Sequence, residues 1–207
     1  MRKVYRLQSL QEKDVNKDPI KQFEKWWQEA IDSKIEEPNA MTLATCDELG
    51  KPSARIVLLK GIHKNDFVFF TNYESQKSKE IKNNPFVALV FFWKELERQI
   101  RIEGTVKKIS KKESDEYFSQ RPRESQLGAW SSPQSRVIDN AGFLQENFKK
   151  YNDKFGTKNI PRPIFWGGFL VKPYLVEFWQ GRPGRLHDRM QYRLNKNNKW
   201  ELQRLAP

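Results

Sequence analysis

The sequence lacks the residues that several common classes of functional site require. Cys46 is the single cysteine, which excludes an intramolecular disulfide framework and a multi-cysteine zinc or iron–sulfur site. His63 and His187 are the only histidines, too few for a histidine-built metal centre, so we predict no bound metal. The motifs GxGxxG, Walker A, HExxH, CxxC and GxSxG are also missing. Nucleotide binding by a glycine-rich loop, zinc proteolysis and serine hydrolysis therefore lose their support.

Long apolar segments are missing as well. The longest apolar run, Phe86 to Trp93, is far shorter than the roughly 20 residues of a membrane-spanning helix. The basic N-terminus has no apolar stretch of the kind that marks a secretory signal. Together with the single cysteine, these features lead us to expect a cytoplasmic protein in a reducing compartment.

The chain does contain a strong excess of positive charge. Its 207 residues include 38 Lys and Arg against 26 Asp and Glu, a formal net charge of +12. Such a surface favours anionic partners, which are nucleic acid, a membrane surface or small phosphorylated ligands. The cations lie at the ends of predicted strands and loops, among Tyr, Trp, Ser and Gln, rather than in one basic tract. This distribution favours separate phosphate pockets, although nucleic-acid-binding barrels also interleave aromatic residues with cations.

Local patterns predict one domain that follows an N-terminal arm. Residues 1–17 carry mixed charge without a clear period, and we expect them to form a mobile arm. Asp18 and Pro19 predict the start of a helix, after which apolar residues recur at helical spacing from Phe23 to Ile31. The chain's 7 Trp, 6 Tyr and 14 Phe are too many for a disordered protein. We therefore expect residues 18–207 to form a single packed domain.

Alternating apolar and polar residues predict a sheet protein of the α+β class. Short turns join successive strands, which indicates antiparallel pairing, and strict βαβ alternation is missing, so a Rossmann sheet is not expected. Many strands with few helices favour a closed barrel. Residues 121–135 are polar and rich in turn residues. The predicted strands are 40–47, 52–60, 67–71, 85–93, 97–109, 164–171, 174–180, 185–194 and 199–205, and the further helices are 75–83, 111–120 and 139–154.

The segment GRPGRLHDRM (181–190) is the most informative for function. If 185–190 is a strand, Arg185, His187 and Arg189 share one face, and an anionic ligand would relieve the repulsion between them. Trp179 lies just across the preceding turn. Two planar guanidiniums, an imidazole and an indole suit a flat, anionic heterocycle. A solvated strand face is the alternative interpretation.

A second donor set follows the predicted helix 111–120. Tyr117 and Arg121 are four residues apart and share a helix face, and Ser125 follows within one loop. Phenol, guanidinium and hydroxyl all donate hydrogen bonds, as a phosphate with three terminal oxygens requires. Helix-end charges in water are the alternative interpretation.

Two further groups of cations lie at strand or helix ends. Arg55 and Lys60 end the apolar stretch of RIVLLK, where exposed strand-end charges are the alternative. Ser75 and Lys77 lie where a helix is expected to begin, and a helix N-terminus with a nearby lysine suits an anion. Helix capping alone would also explain Ser75.

Long segments in the same order resemble one known family over nearly the whole chain, from about Met41 to Pro207. They are RIVLLK, FFTNYESQKSKEI, NNPFVALVFFW, LERQIRIEG, YFSQRPRESQLGAWSSPQS, FWGGF, VEFWQGRPGRLHDR and the terminal RLAP. These segments are similar to those of pyridoxamine (pyridoxine) 5′-phosphate oxidases. The resemblance implies an FMN-binding antiparallel split β-barrel with peripheral helices, working as a homodimer with two FMN sites at the subunit interface.

The resemblance also implies a reaction, the oxidation of pyridoxamine or pyridoxine 5′-phosphate to pyridoxal 5′-phosphate. A hydride equivalent would pass from C4′ of the substrate to N5 of the flavin, and O₂ would then reoxidise the flavin and yield H₂O₂. The implied partners are phosphorylated B6 vitamers and O₂, with no nucleic acid and no membrane. Two alternatives stay open: a nucleic-acid-binding barrel, and a flavin-binding relative that does not oxidise a vitamer.

Roles for individual residues follow from the same resemblance. Arg185 and His187 are implied as catalytic residues that close over the substrate ring. The other implied substrate-binding residues are Arg2, Tyr5, Lys60, Tyr117, Arg121 and Ser125. The implied FMN-binding residues are Arg55, Ile56, Val57, Leu58, Leu59, Lys60, Phe70, Thr71, Gln76, Lys77, Gln99, Gln134, Ser135, Trp179 and Arg189.

Two positions depart from the family pattern. Phe70 stands where relatives often carry Tyr, and Gln76 stands where many carry Arg. A backbone contact to FMN would survive the first change. The second would remove a charge-assisted hydrogen bond to the flavin phosphate, which is worth about 1–2 kcal/mol.

Overall fold

The computed structural model describes residues 5–207, so Arg2, a predicted substrate-binding residue, lies outside the described range. Nine strands and five α-helices lie within that range. The helices are α1 (Pro19–Asp32), α2 (Gln76–Asn83), α3 (Lys111–Ser119), α4 (Arg123–Ser131) and α5 (Gly142–Phe155). The strands are β1 (Ala40–Cys46), β2 (Pro52–Leu58), β3 (Gly61–His63), β4 (Asp66–Asn72), β5 (Phe86–Trp93), β6 (Arg98–Lys108), β7 (Trp166–Gln180), β8 (Asp188–Leu194) and β9 (Trp200–Leu205).

Helix α1 begins where the sequence predicts. The Asp18 carboxylate accepts a hydrogen bond from the backbone N–H of Ile20 at 2.8 Å, and proline occupies the first turn. Phe23 is completely buried on this helix and meets Phe67 and Phe91 edge-on. The helix therefore contributes its apolar stripe to the core of the sheet.

The sheet curls because its two ends are joined by a very short link. The order of paired strands is β2-β1-β5-β6-β7-β4-β3, and every pair is antiparallel. The strands at the two ends, β2 and β3, are separated in the chain only by Leu59 and Lys60. Lys60 N–H donates to Val68 O of β4 at 2.8 Å, which extends the β3–β4 pairing by one residue into this link. The predicted α+β split barrel is confirmed.

Strand β7 corrects the prediction of two separate strands at 164–171 and 174–180. It runs without a break through Pro173, which lies opposite Gly104 of β6 at a β-bulge. The bulge accommodates the missing N–H of proline. A Cβ at Gly104 would lie 2.5 Å from the carbonyl oxygen of Lys172, so glycine is required for this close approach. One continuous strand therefore pairs with β4, β6 and β8.

Two other predictions were wrong. The segment 121–135, expected to be a loop, contains helix α4, whose Leu127 packs with Phe155 of α5 in a small second core. Strand β8 begins only at Asp188, because Gly184 and Arg185 both have positive φ and turn the chain. Arg185 and His187 therefore do not share a strand face with Arg189.

The described part of the N-terminal arm, residues 5–17, lies against the barrel. Leu10 is buried in the main core, and Asn16 O accepts a hydrogen bond from the hydroxyl of Tyr192 at 2.5 Å. The mobility of the arm stays a prediction. No helix in the described range 5–207 is both long enough and apolar enough to cross a membrane.

Candidate functional site

A cavity of about 970 Å³ opens between β2, β4, α2 and the α3–α4 segment. Its volume lies at the upper end of the range typical of ligand pockets. Predicted FMN-binding residues in its wall are Arg55, Ile56, Val57, Leu58, Lys60, Phe70, Thr71, Gln76, Lys77, Gln134 and Ser135. The predicted substrate-binding residues Tyr117, Arg121 and Ser125 line the same cavity. We call this cavity the pocket.

In one group of pocket residues, the Lys77 ammonium is surrounded by neutral oxygen atoms. It donates to Thr71 Oγ1 at 3.1 Å, to Ser75 Oγ at 3.2 Å and to Gln134 Oε1 at 3.0 Å. Burial, aided by the nearby charge of Arg55, lowers the pKa of Lys77 to about 8. In the described part of the chain, no carboxylate lies within ion-pair distance of this ammonium. An anionic ligand would supply the missing counter-charge.

Arg55 is fixed beside Lys77 by a buried polar network. Its guanidinium donates to the hydroxyls of Thr45 and Ser53 and lies 3.4 Å from Glu80 Oε2. The second carboxylate oxygen of Glu80 accepts a hydrogen bond from the side-chain amide of Gln76 at 2.9 Å. Burial works to raise the pKa of Glu80, but the hydrogen bonds and the charge of Arg55 lower it overall. Gln76 therefore lines the pocket with its amide nitrogen already engaged.

In a second group of pocket residues, aromatic rings support another cation. The rings of Phe70 and Tyr117 are stacked with centroids 3.7 Å apart, and the ring of Trp166 stacks on Phe70 at 5.4 Å. The guanidinium of Arg121 lies over the Trp166 ring at 4.5 Å. Sequence reasoning missed Trp166 as a site residue, although the motif FWGGF contains it.

The unpartnered donor of Arg121 is the clearest indication that this group binds a ligand. Its Nη1 atom is buried and has no hydrogen-bond partner among the described residues. Burial lowers the pKa of Arg121 and raises that of Tyr117. A buried guanidinium N–H without a partner is costly, so an acceptor is expected there when the site is filled. Ser125, in the first turn of α4, adds a hydroxyl to the same wall.

Five further predicted residues form a separate group at one end of β6, β7 and β8. Gln99, Trp179 and Arg189 are directly paired across these three strands. The His187 ring centroid lies 4.7 Å from that of Trp179, and the Tyr5 ring stands edge-on to both. We call these five residues the strand-end cluster. None of them lines the pocket of the same chain.

Within the strand-end cluster, hydrogen bonds fix the orientation of the ionisable side chains. The backbone N–H of Arg182 donates to His187 Nδ1 at 3.1 Å, so the neutral imidazole carries its proton on Nε2. Arg189 donates two hydrogen bonds, each of 3.0 Å, to the two oxygens of Glu177, and this pairing raises the pKa of Arg189. Arg101 also bonds to Glu177 at 3.2 Å. These arginines are therefore already paired with a carboxylate.

Two other predicted site residues lie elsewhere. Leu59 is 1% exposed and packs in the main core rather than in the pocket wall. Arg185 is exposed in the turn before β8, with a φ of 65°. Ser135, which does line the pocket, has a φ of 68°. Left-handed conformations are uncommon outside glycine and are concentrated at functional sites.

Comparison with known proteins identifies the family. Residues 27–155 match the family model described as pyridoxamine 5′-phosphate oxidase. The chain belongs to the pyridoxamine 5′-phosphate oxidase family. Residues 166–207 match the pyridoxine 5′-phosphate oxidase C-terminal dimerisation region, which contains Trp179, Arg185, His187 and Arg189. The family predicted from the sequence motifs is confirmed.

Relatives within the pyridoxamine 5′-phosphate oxidase family match over the full chain. Pyridoxine/pyridoxamine 5′-phosphate oxidases from Cyanothece sp. and Salinibacter ruber are 52% and 54% identical, and each match covers 100% of this chain and 97% of the relative. The crystal structure of PhzG from Burkholderia lata superposes with a TM-score of 0.90 at 25% identity, covering 97% of this chain and 99% of that one. These matches agree with the activity that the motifs predict.

Proposed function

We propose that the chain is an FMN-dependent oxidase that converts pyridoxamine or pyridoxine 5′-phosphate to pyridoxal 5′-phosphate. The observation that carries this proposal is a pocket lined by two groups of donors suited to anions. Arg55 and Lys77 form one group, and Tyr117, Arg121 and Ser125 form the other. FMN and the substrate each carry a phosphate, so two such groups are required in one site.

The residues present fit FMN as the cofactor. Lys77 lacks a counter-charge, and the buried Arg121 donor lacks an acceptor, among residues 5–207. The volume of about 970 Å³ also suits more than one ring compound. When bound, FMN supplies the acceptor for a hydride from C4′ of the substrate and passes the electrons to O₂. For pyridoxine 5′-phosphate the products are pyridoxal 5′-phosphate and H₂O₂, and the amine consumes one water and also releases ammonia.

The protein's own residues bind and orient the reactants. Arg55 and Lys77 would hold the cofactor phosphate, and Arg121 with its neighbours would hold the substrate phosphate. His187 presents an Nε2–H donor, and Arg185 presents an exposed guanidinium, with which they would fix the substrate ring. Such positioning contributes several kcal/mol to a reaction between two bound rings.

A complete site would need two copies of the chain. The pocket and the strand-end cluster are separate within one chain, and the cluster lies largely in the segment that matches a dimerisation region. We therefore propose a homodimer in which the cluster of one copy closes the pocket of the other. This arrangement requires a symmetric pair of sites, because the same two surfaces meet twice across a two-fold axis.

The visible spectrum tests the function directly. The purified protein should be yellow, and its flavin absorbance should bleach when pyridoxamine 5′-phosphate is added without oxygen. Readmission of O₂ should restore the colour and release one H₂O₂ per substrate oxidised. A colourless protein that does not bind added FMN would contradict the proposal.

Mixed dimers test whether the site is shared. Arg121→Ala and His187→Ala each remove one half of the proposed site, so each variant alone should be nearly inactive. When they are dissociated and mixed in equal amounts, half of the dimers would hold one intact site. About a quarter of the wild-type activity should then return, by the arithmetic of random two-fold pairing. Activity that stays at the level of the single variants would place both halves in one chain.

A further inference from the structure

The described N-terminal arm is held by its backbone rather than only by its side chains. The N–H groups of Arg6 and Leu7 donate to Glu97 Oε2 at 2.9 and 3.2 Å. The side chain of Leu10 is 4% exposed and belongs to the main core. These contacts give residues 6–10 a defined course across the end of the barrel.

The ion pair of Asp188 and Arg204 binds both the N–H and the carbonyl group of Leu10. Asp188 Oδ2 accepts a hydrogen bond from Leu10 N–H at 3.0 Å, and Arg204 Nη2 donates to Leu10 O at 3.0 Å. Arg204 Nη1 also donates to Asp188 Oδ1 at 2.8 Å, and its Nε bonds to Glu12 at 2.7 Å. We call Asp188 and Arg204 the arm clamp.

The ion pair between Arg204 and Glu12 strengthens the charged forms of both side chains. The hydrogen bond from Arg204 lowers the pKa of Glu12 to about 2 and is accompanied by a raised pKa of Arg204 itself. The groups that face Arg204 are Glu12 and Asp188, while Asp188 also lies 3.5 Å from Arg182. Since opposite charges alternate through this network, its members support one another.

Gly181 provides the space that the arm needs next to the strand-end cluster. The ring centroid of Tyr5 lies 5.7 Å from Trp179 and 5.8 Å from His187, edge-on to each. A Cβ at Gly181 would lie 2.7 Å from Tyr5 Cγ, and the three atoms nearest to that position all belong to Tyr5. A side chain at 181 would therefore displace the Tyr5 ring.

We propose that Arg204, Asp188 and Gly181 are positioning residues that fix Tyr5 beside His187, where its ring forms one wall of the substrate position. Asp188 directly follows His187 in the chain, so the carboxylate that binds the arm is tied to the residue proposed to contact the substrate. The role assigned to Tyr5 rests on the proposed function. The docking of the arm by the clamp does not.

Hydrogen exchange tests the arm clamp without any enzyme assay. Arg204→Gln removes the charge that holds Leu10 O and Asp188, so the amide of Leu10 should exchange at least about tenfold faster. Arg204→Lys keeps the charge but cannot reach all partners at once, and its exchange rate should be intermediate. Glu116→Gln breaks the exposed ion pair with Lys112 and serves as the control with unchanged exchange at Leu10. Equal exchange in wild type and Arg204→Gln would overturn the clamp.

Kinetics test the role of Tyr5. Tyr5→Ala and Gly181→Ala should each raise the KM for pyridoxamine 5′-phosphate about tenfold and leave kcat within about twofold, because they remove binding rather than chemistry. The double variant should match Tyr5→Ala alone, since the added methyl group then has no ring to displace. Arg204→Gln should likewise have no further effect in the Tyr5→Ala background.

Additive effects in either double variant, or a loss confined to kcat, would overturn the positioning role. If the wild-type protein bound FMN but did not oxidise the substrate, the proposed function would fail. The exchange rates at Leu10 would still decide whether the clamp holds the arm.

Discussion

The pocket and the strand-end cluster use positive charge in opposite ways. In the pocket, Lys77 is surrounded by neutral oxygens, and a buried donor of Arg121 has no partner within the described chain. In and beside the cluster, Arg189 is bound to Glu177 through two hydrogen bonds, and Arg204 to Asp188 and Glu12. Lys77 and Arg121 of the first region have no carboxylate within ion-pair distance among the described residues, whereas Arg189 and Arg204 of the second region are already neutralised.

This difference distinguishes cations that bind a ligand from cations that hold the protein in a fixed geometry. Unpaired, desolvated cations are costly in the free protein and gain most when an anion arrives. Paired cations gain little from a new anion, but they hold backbone and rings in a fixed geometry. The excess of positive charge in the sequence thus serves both purposes. The pairing of each arginine, rather than the net charge, distinguishes the two uses.

The largest effect on activity is expected from removing Arg121, whose buried donor has no partner among the described residues. Arg121→Ala should lower kcat/KM for pyridoxamine 5′-phosphate about 100-fold, since a hydrogen bond to a charged group is worth about 1.5–3 kcal/mol. FMN absorbance should be unchanged. Arg123→Ala is the control, because Arg123 bonds to the carbonyls of Gly156 and Lys158 outside the pocket. Equal losses in both variants would mean that Arg121 has no special role.

A second prediction concerns stability in the strand-end cluster. Glu177→Gln leaves Arg189 and Arg101 without their shared carboxylate, so the free energy of unfolding should fall by about 2–3 kcal/mol. Glu74→Gln, which breaks the exposed pair with Arg136, should cost less than about 1 kcal/mol. Urea denaturation measures both values. Equal costs would mean that the carboxylate of Glu177 contributes no more to stability than an exposed ion pair.

The effect of pH on FMN binding should be smaller than the effects above, and it tests whether Lys77 binds the cofactor phosphate. The pKa of Lys77 is about 8, so its positive charge is largely lost between pH 7 and pH 9. The dissociation constant for FMN should therefore rise about tenfold over this interval, as one titrating cation requires. Lys77→Arg keeps its charge and should abolish the trend. If the affinity of the wild-type protein for FMN did not vary from pH 7 to pH 9, Lys77 would not bind the cofactor phosphate.

Lys77 also makes the stability of the cofactor-free protein depend on pH. The pKa of Lys77 is lowered from its ordinary value of 10.5 to about 8 in the folded chain. Between these values the unfolded chain binds more protons than the folded chain. The contribution of Lys77 to stability therefore rises as the pH increases from about 8 to 10.5.

The smallest effect is expected at Gln76. Because its amide already donates to Glu80, Gln76→Ala should change the FMN dissociation constant by less than about threefold. Fluorescence titration of FMN measures this change. A loss of tenfold or more would show that the amide turns to the cofactor phosphate on binding.

Much of the fold could be predicted because its signals are local. The β1–β2 hairpin, helix α1 and the turn at 195–198 each follow from neighbouring residues. The continuity of β7 could not be predicted, because Pro173 is tolerated only through the bulge opposite Gly104 on another strand. Helix α4 was missed because its exposed polar residues obscure the apolar period.

The site was predictable in composition but not in arrangement. Motif resemblance placed Tyr117, Arg121 and Lys77 at anion sites, and the structure gathers all three around one pocket. The role of Trp166 under Arg121 depends on a contact between residues 45 positions apart, which local patterns do not encode. The separation of His187 from the pocket is equally non-local, since it arises from the order of strands in the sheet.

The stacked row of Phe70, Tyr117 and Trp166 has a practical consequence. It places an indole in the wall of the pocket in which we propose that FMN and the substrate bind. The emission of tryptophan overlaps the near-ultraviolet and blue absorption of a flavin, so cofactor loading should quench Trp166 by energy transfer. The protein thus carries its own optical probe of occupancy, and comparison with Trp166→Phe separates the signal of Trp166 from that of the other six tryptophans.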